Sequence, residues 1–326
     1  MKSEILALLR ERGDYVSGQE LCGHFGVSRT AVWKAIGQLK KEGYRIEAVQ
    51  NRGYLLTEDE ELFGLSELES RMNTRWAGHP VTCYDVIAST NLQAKMDAEN
   101  GASQGALVVA DMQTAGRGRR GRGWSSPPGT NAYFSLILKP EISPDKAAML
   151  TPVMGLAVAE GIRRTCDAEA MIKWPNDIVV GGKKVCGILA EMSVERDFIH
   201  YVVIGVGINV GQQNFPAEVA QTAICLQEAC GKRISRAELV ANVMRVFEEY
   251  YDIFLERGDL SGLAERYDRL LVNRGREVRV LDPKGEFQGI ALGINESGEL
   301  LVERKDGTVA NVYAGEVSVR GIYGYV

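Results

Sequence analysis

No apolar run in this chain reaches the roughly 18 residues needed to span a bilayer. Its first residues, Met1 to Leu6, enter an amphipathic helical pattern directly, so no membrane contact is expected and a cytoplasmic protein is. Histidine is scarce, at three residues, and the six cysteines (Cys22, Cys83, Cys166, Cys186, Cys225, Cys230) stand singly without a CxxC pair. Neither a zinc site nor a disulfide framework is indicated, no metal-ligand set is assigned, and most of these cysteines read as small core residues. Positive charge is in deficit, 38 Lys and Arg against 43 Asp and Glu, which argues against wholesale coating of nucleic acid. Internal repeats and low-complexity tracts are also missing. What remains is an ordinary globular chain of 326 residues, 45% hydrophobic and 25% charged, long enough for two or three domains.

Charge is unevenly placed within that acidic total. The run Gly116-Arg117-Gly118-Arg119-Arg120-Gly121-Arg122-Gly123-Trp124 sets four guanidiniums among glycines. Guanidinium forks match phosphate or carboxylate oxygens, and glycines let backbone amides approach the same ligand. A solvated basic loop and an RGG-like nucleic-acid segment are the competing readings. The loop lies between the apolar runs Ala106 to Ala110 and Ala132 to Leu138, which read as core strands and favour a small-molecule anion site.

Residues 1 to 57 carry nine Lys and Arg against six Asp and Glu, a net of +3. Ile5, Leu6, Leu8 and Leu9 mark a helix ended by Gly13, and Ser17 with Glu20 forms a capping box for a second. Gly26-Val27 makes a tight turn, and Ser28 caps a third helix with the stripe Val32, Ile36 and Leu39. Two strand patterns follow, Tyr44 to Val49 and Tyr54 to Thr57, joined by Asn51-Arg52-Gly53. This is winged helix-turn-helix spacing, with Ser28, Arg29, Thr30, Trp33 and Lys34 on the exposed face and Arg52 at the wing tip as candidate DNA contacts. A trihelical packing module without DNA is the alternative.

Glu58-Asp59-Glu60-Glu61 reads as a linker. Strands are then expected at Val81 to Ile87, Ala106 to Ala110, Ala132 to Leu138, Ala170 to Lys173, Ile178 to Val180, Val185 to Met192 and Tyr201 to Asn209. Helices open at Ser143-Pro144 and at Ser235 with Glu238. Hairpin-joined strands mixed with helices imply an α+β fold, a mixed sheet with helices packed on one side. From about Asn273, short strands separated by Asp282-Pro283-Lys284-Gly285, Asn295-Glu296-Ser297-Gly298 and Lys305-Asp306-Gly307 predict a small SH3-like β-barrel. The expected domains are 1–62, 63–272 and 273–326.

Three further constellations accompany the arginine loop. Ser89-Thr90-Asn91 follows a strand and opens a helix, either as a ligand site at the helix N-terminus or as a plain N-cap. Lys173-Trp174-Pro175-Asn176-Asp177 leads to the turn Gly181-Gly182 and then to Lys184, either a charge-stabilising lysine beside Asp177 or a surface residue. Gly205-Val206-Gly207-Ile208-Asn209 would let a ligand approach a sheet, with Asn209 as a polar contact at its end.

In this order the segments resemble the biotin protein ligase family. With a winged N-terminal and a small C-terminal domain, the chain resembles the members that also repress transcription of biotin synthesis genes. Lipoate ligases share the central fold without this arginine loop. The resemblance implies that Ser89, Thr90, Asn91 and Gln113 bind the fused ring system of biotin. Arg117, Gly118 and Arg119 would meet its carboxylate and the phosphate formed on it, and Lys184 would neutralise both anions. Arg120, Arg122, Trp124 and Asn209 would border the nucleotide, and Asp177 would serve Lys184 and the incoming amine. It also implies ATP and biotin as substrates with Mg²⁺, a biotin carboxyl carrier protein and operator DNA as partners, and a homodimer formed on biotinyl-5′-AMP. Some members place a Trp where this chain has Ala223; Phe215 is the candidate replacement. A biotin sensor without catalysis and a ligase without operator binding are the alternatives.

Overall fold

The computed structural model describes residues 1–57, 62–195, 197–282, 285–314, 318–321 and 325–326. The expected linker Glu58 to Glu61 lies outside the described residues, as do Pro283 and Lys284 of one expected turn. Two compact units are present, Met1–Asn73 with Ser235–Ala241, and Thr74–Ile234 with Asn242–Val326. No helix among the described residues is long and apolar enough to cross a membrane.

The first unit contains α1 (Lys2–Arg12), α2 (Gly18–Phe25), α3 (Arg29–Lys41), the antiparallel hairpin β1 (Ile46–Val49) with β2 (Gly53–Leu56), and α4 (Leu65–Arg71). The local signals act as read. Gly13 and Gly26 end their helices in the left-handed region at φ 60° and 64°. Ser17 Oγ accepts from Glu20 N at 3.0 Å, and Ser28 Oγ accepts from Ala31 N at 3.2 Å. The Glu20 carboxylate takes a hydrogen bond from Arg12 at 3.0 Å, so of the expected capping box the Ser17 half is the one seen. Ile5, Leu6, Leu9, Leu21, Val32, Ile36 and Leu39 form one buried core. Each such side chain contributes roughly 1.5–3 kcal/mol of burial. Val16 exchanges backbone hydrogen bonds with Tyr54 at 2.8 and 2.9 Å, bringing a third segment to the wing.

The second unit is built on a seven-stranded mixed sheet. Its strands are β3 (Val81–Ile87), β4 (Leu107–Gln113), β5 (Ala132–Leu138), β6 (Met171–Lys173), β7 (Asp177–Val180), β8 (Lys183–Glu195) and β9 (Phe198–Ile208). They lie in the order β3-β4-β5-β9-β8-β7-β6, with β3 and β4 parallel and every other neighbouring pair antiparallel. All seven expected strands are present; α5 (Thr90–Glu99) connects the parallel pair.

The long helices α6 (Leu150–Cys166) and α8 (Arg236–Arg257) stack together, since a Cβ on Gly161 would fall 2.7 Å from Val243. Between them in sequence is the short α7 (Leu226–Cys230). α6 meets the sheet through Gly155 beside Ile188. The shorter α5 packs with Val108, Ile137 and Val203, whose side chains point away from α6. The expectation of helices on one side therefore holds for the long pair and is corrected for α5. Strand alternation sets this: Gly187 and Leu189 of β8 face opposite to Ile188.

After α9 (Ala264–Leu270) come β10 (Glu277–Leu281), β11 (Phe287–Ile294), β12 (Leu300–Arg304), β13 (Val309–Val312) and β14 (Ser318–Gly321). They form an antiparallel sheet in the order β13-β12-β11-β10-β14, and among the described residues the edge strands β13 and β14 share no ladder. The expected SH3-like barrel is thus corrected to an open five-stranded sheet. Turn spacing counts strands, but closure needs the outer strands to pair, and that is not written in spacing.

Candidate active site

The elements of the second unit leave a cavity of about 680 Å³ on the sheet face that carries α5. Ser89, Thr90, Asn91, Gln113, Arg117, Gly118, Arg119, Arg120, Arg122, Trp124, Asp177, Lys184 and Asn209 all line it. The chain therefore brings together side chains expected to handle a ring system, a carboxylate and a nucleotide.

At one end Ser89 caps α5, its Oγ accepting from Leu92 N at 3.5 Å, so the capping reading holds for this hydroxyl whatever else it does. Gln113 Oε1 accepts from Thr90 N at 2.9 Å and Oγ1 at 3.2 Å, and its Nε2 donates to Ser126 at 3.0 Å. Ser135 on β5 reaches Thr90 Oγ1 at 2.8 Å and Asn91 Oδ1 at 2.6 Å. The Asn91 amide donates to Leu189 O at 3.3 Å and to Glu191 at 2.8 Å. Burial raises the pKa of the Glu191 carboxyl, but hydrogen bonds from Lys95 and Asn91 outweigh it and hold the group below its usual range. Both ends of Asn91 are thus engaged within the protein; it braces the cluster.

Gly205 and Gly207 of β9, expected to let a ligand approach the sheet, line the cavity and also make room for side chains of the protein. A Cβ on Gly205 would fall 1.9 Å from Asn91 Oδ1, and one on Gly207 would fall 2.6 Å from Trp124 Nε1. They admit two of the protein's own side chains to the sheet. Gly187 likewise lies beneath Trp124 and Lys184.

The arginine loop is closed by its own backbone hydrogen bonds. Gly118 N donates to Arg122 O at 2.7 Å, Trp124 N donates to Gly116 O at 2.9 Å, and Arg120 turns the chain at φ 59°. Arg117, Arg120 and Arg122 are exposed, while Arg119 is half-buried, donating to Asn176 Oδ1 at 3.0 Å and to Ala314 O at 2.6 Å. Burial pulls the Arg119 pKa below that of a free guanidinium.

Opposite the loop, Lys184 Nζ sits 2.5 Å from Asp177 Oδ1 and 5.3 Å from the Trp124 ring centroid. The backbone of Lys184 is pinned by Thr222 O at 2.7 Å and Ile224 N at 3.0 Å, which fixes Ala223 beside it. Asn209 is buried, with its amide 3.4 Å from Ile224 O. Phe215 lines the cavity as well. Burial raises the Asp177 pKa, and the nearby lysines outweigh it, so the carboxyl stays ionised below its usual range. Among the described residues no group of three or more His, Cys, Asp or Glu could hold a metal ion.

Among the members that sequence reasoning missed are Lys173, Arg320 and Tyr325. Lys173, 4% exposed, was read only as the start of a motif. Arg320 and Tyr325 come from the C-terminal segment and also line the cavity. No sequence pattern marked Lys173 as buried, because on a strand its neighbour Ile172 points to the opposite face. On the first unit, Ser28, Arg29, Thr30, Trp33, Lys34 and Arg52 are all exposed, Trp33 at 68%. Arg29 donates to Gln19 at 2.9 Å, and Arg52 stacks on Tyr15 at 4.0 Å.

A mixed sheet whose glycine-floored cavity gathers Arg119, Lys173 and Lys184, in a chain that also holds a winged helix-turn-helix, defines an anion-activating ligase domain joined to a nucleic-acid-binding module. Family models agree with each part. An HTH domain matches residues 2–55, the biotin/lipoate A/B protein ligase family residues 84–209, and the biotin protein ligase C-terminal domain residues 275–320. The chain is 38% identical over 322 residues to the bifunctional ligase/repressor BirA of Bacillus subtilis (strain 168), covering 98% of both chains. It is 34% identical over 318 residues to the protein of the same name from Escherichia coli (strain K12), covering 97% of this chain and 96% of the relative. Among solved structures, the biotin protein ligase from Aquifex aeolicus in complex with biotin and ATP superposes with a TM-score of 0.66 at 31% identity. That match covers 74% of this chain and 99% of the other. The chain belongs to the family of bifunctional biotin protein ligases and repressors.

Proposed function

We propose that this chain is an ATP-dependent biotin protein ligase that also acts as a biotin-responsive transcriptional repressor. The observation that carries the reading is the convergence of Arg119, Lys173 and Lys184 on one cavity beside the Thr90–Gln113–Ser135 hydrogen-bond cluster. Two anions, the biotin carboxylate and the α-phosphate of ATP, approach only where cations screen them. A carboxylate oxygen attacks the α-phosphorus, the bond to the bridging oxygen breaks, and pyrophosphate leaves with that electron pair. The product is biotinyl-5′-AMP. A lysine amine of a biotin carboxyl carrier protein then attacks its carbonyl, expelling AMP and losing a proton as the amide forms.

In this reading Ser89, Thr90, Asn91 and Gln113 answer the fused rings of biotin, with Asn91 acting as a brace. Arg117, Gly118 and Arg119 meet the carboxylate and phosphate, with Lys184 as the charge-neutralising group. Arg120, Arg122, Trp124 and Asn209 border the nucleotide, and Phe215 covers the side that Ala223 leaves open. Asp177 holds Lys184 in place. Both its oxygens are engaged within the protein, by Lys184 and by Tyr325. Mg²⁺ would enter with the phosphates of ATP and keep most of its waters.

Domains 1–62, 63–272 and 273–326 divide the labour as DNA binding, catalysis and support of the cavity. Biotinyl-5′-AMP promotes a homodimer, and two winged helices related by a two-fold axis read a palindromic operator. The test is biotin-dependent ATP–pyrophosphate exchange together with operator retardation with and without biotin and ATP. Exchange without any ligand effect on operator binding would leave a ligase alone; ligand-dependent operator binding without exchange would leave a sensor.

A further inference from the structure

One side chain from the far end of the chain enters the cavity. Tyr325, the penultimate residue, donates its hydroxyl to Asp177 Oδ2, while Oδ1 of the same carboxylate holds Lys184 at 2.5 Å. The Lys173 ammonium lies over its ring, 4.2 Å from the centroid. The tail is seated on two sides. A Cβ on Gly182, in the β7–β8 turn, would come 3.3 Å from Val326 Cγ2, and one on Gly321 of β14 would come 2.2 Å from Val326 O.

Simple packing would not require both ends of one side chain to meet charges of the anion site. By occupying Oδ2, the phenol leaves Asp177 a single geometry in which to hold Lys184. An aromatic face attracts an ammonium without neutralising it, so Lys173 keeps N–H donors for an anion. We propose that Tyr325 is a positioning residue of the adenylation site: it fixes Asp177 so that Lys184 is aimed at the reacting anions, and it holds Lys173 in the cavity for a phosphate group. This rests on the ligase reading.

The charged groups that face Asp177 are Lys184 from β8, Lys173 from β6 and Arg119 from the loop, with Arg320 of β14 beside Lys173 and Tyr325. The Tyr325 hydrogen bond favours the ionised Asp177, so removing it raises the pH at which Asp177 protonates.

Full-length wild type, Tyr325→Phe and Tyr325→Leu are compared by biotin-dependent ATP–pyrophosphate exchange across pH, with thermal unfolding alongside. Tyr325→Phe keeps the ring and is expected to lower kcat about tenfold with KM for ATP unchanged, because a hydrogen bond to a charged group is lost. Its acid limb should move to higher pH. Tyr325→Leu also loses the cation–π contact and should raise KM for ATP several-fold as well. A Tyr325→Phe protein with wild-type kcat and acid limb overturns the role, as does a loss fully accounted for by a smaller folded fraction. Absence of exchange in the wild type refutes the ligase reading and this role with it; exchange in the wild type with a silent Tyr325→Phe refutes the role alone.

Discussion

Replacing Gly205 by alanine tests whether the floor of the cavity is as tightly built as its geometry implies. The new methyl would sit 1.9 Å from Asn91 Oδ1, far inside contact distance. Neither side yields easily: β9 is paired on both edges, by β5 and β8, and Asn91 is 7% exposed. Displacing Asn91 breaks its hydrogen bonds to Ser135 (2.6 Å), Leu189 (3.3 Å) and Glu191 (2.8 Å). Two neutral bonds at about 1 kcal/mol each and one to a charged group at about 1.5–3 kcal/mol bound the loss, and partial relaxation leaves roughly 3 kcal/mol. For a unit of this size that lowers the unfolding midpoint by about 6–12 °C. Calorimetric affinity for biotin should fall as well, because Ser135 also holds Thr90 at 2.8 Å. Gly207→Ala is the control. The nearest atoms its methyl meets belong to the Trp124 ring, a loop side chain whose buried Nε1 has no hydrogen-bond partner among the described residues. That variant should unfold within about 1 kcal/mol of wild type while losing adenylation activity. Equal midpoints for the two variants, or an unshifted Gly205→Ala, would refute the reasoning.

Arg119→Ala should abolish biotin-dependent exchange while the fold survives, since Arg119 is a loop residue that is not fully buried; wild-type exchange in that variant would contradict its assignment. Lys184→Ala should lower the single-turnover rate of adenylation far more than calorimetric biotin affinity, and equal losses would mean ordinary ground-state binding. Burial lowers the Lys173 pKa to about 8. KM for ATP should therefore rise as pH passes through 8 and this charge is lost, and Lys173→Arg should flatten that rise. The same depressed pKa makes the unfolded chain bind more protons above pH 8, so Lys173 adds stability as pH climbs from about 8 towards its unfolded value near 10.4, measurable by denaturant titration. Arg52→Ala should weaken operator binding and lower the salt slope by about 0.9, with little effect on folding at that exposed site.

The helix caps and glycine stops of the first unit were legible because each acts over three or four residues. The seven strands of the central sheet were legible because they are apolar runs bounded by turns. The cavity could be anticipated from its segments, but not its internal bracing. Nothing near Gly205 signals that Asn91, more than a hundred residues earlier, fills the space above it. Tyr325 lies 148 residues from Asp177, and a lone tyrosine near a terminus carries no pattern. Barrel closure failed for a related reason: β13 and β14 each read as strands, yet whether two edges meet is decided by sheet twist and register.

The most direct test of the central claim is the intact mass of a biotin carboxyl carrier domain incubated with this protein, biotin, ATP and Mg²⁺. A mass gain of one biotinyl group, absent when ATP is omitted and lost when the acceptor lysine is replaced by arginine, is the predicted result. An unmodified carrier domain, under conditions where the protein is folded and biotin and ATP are saturating, would contradict the account.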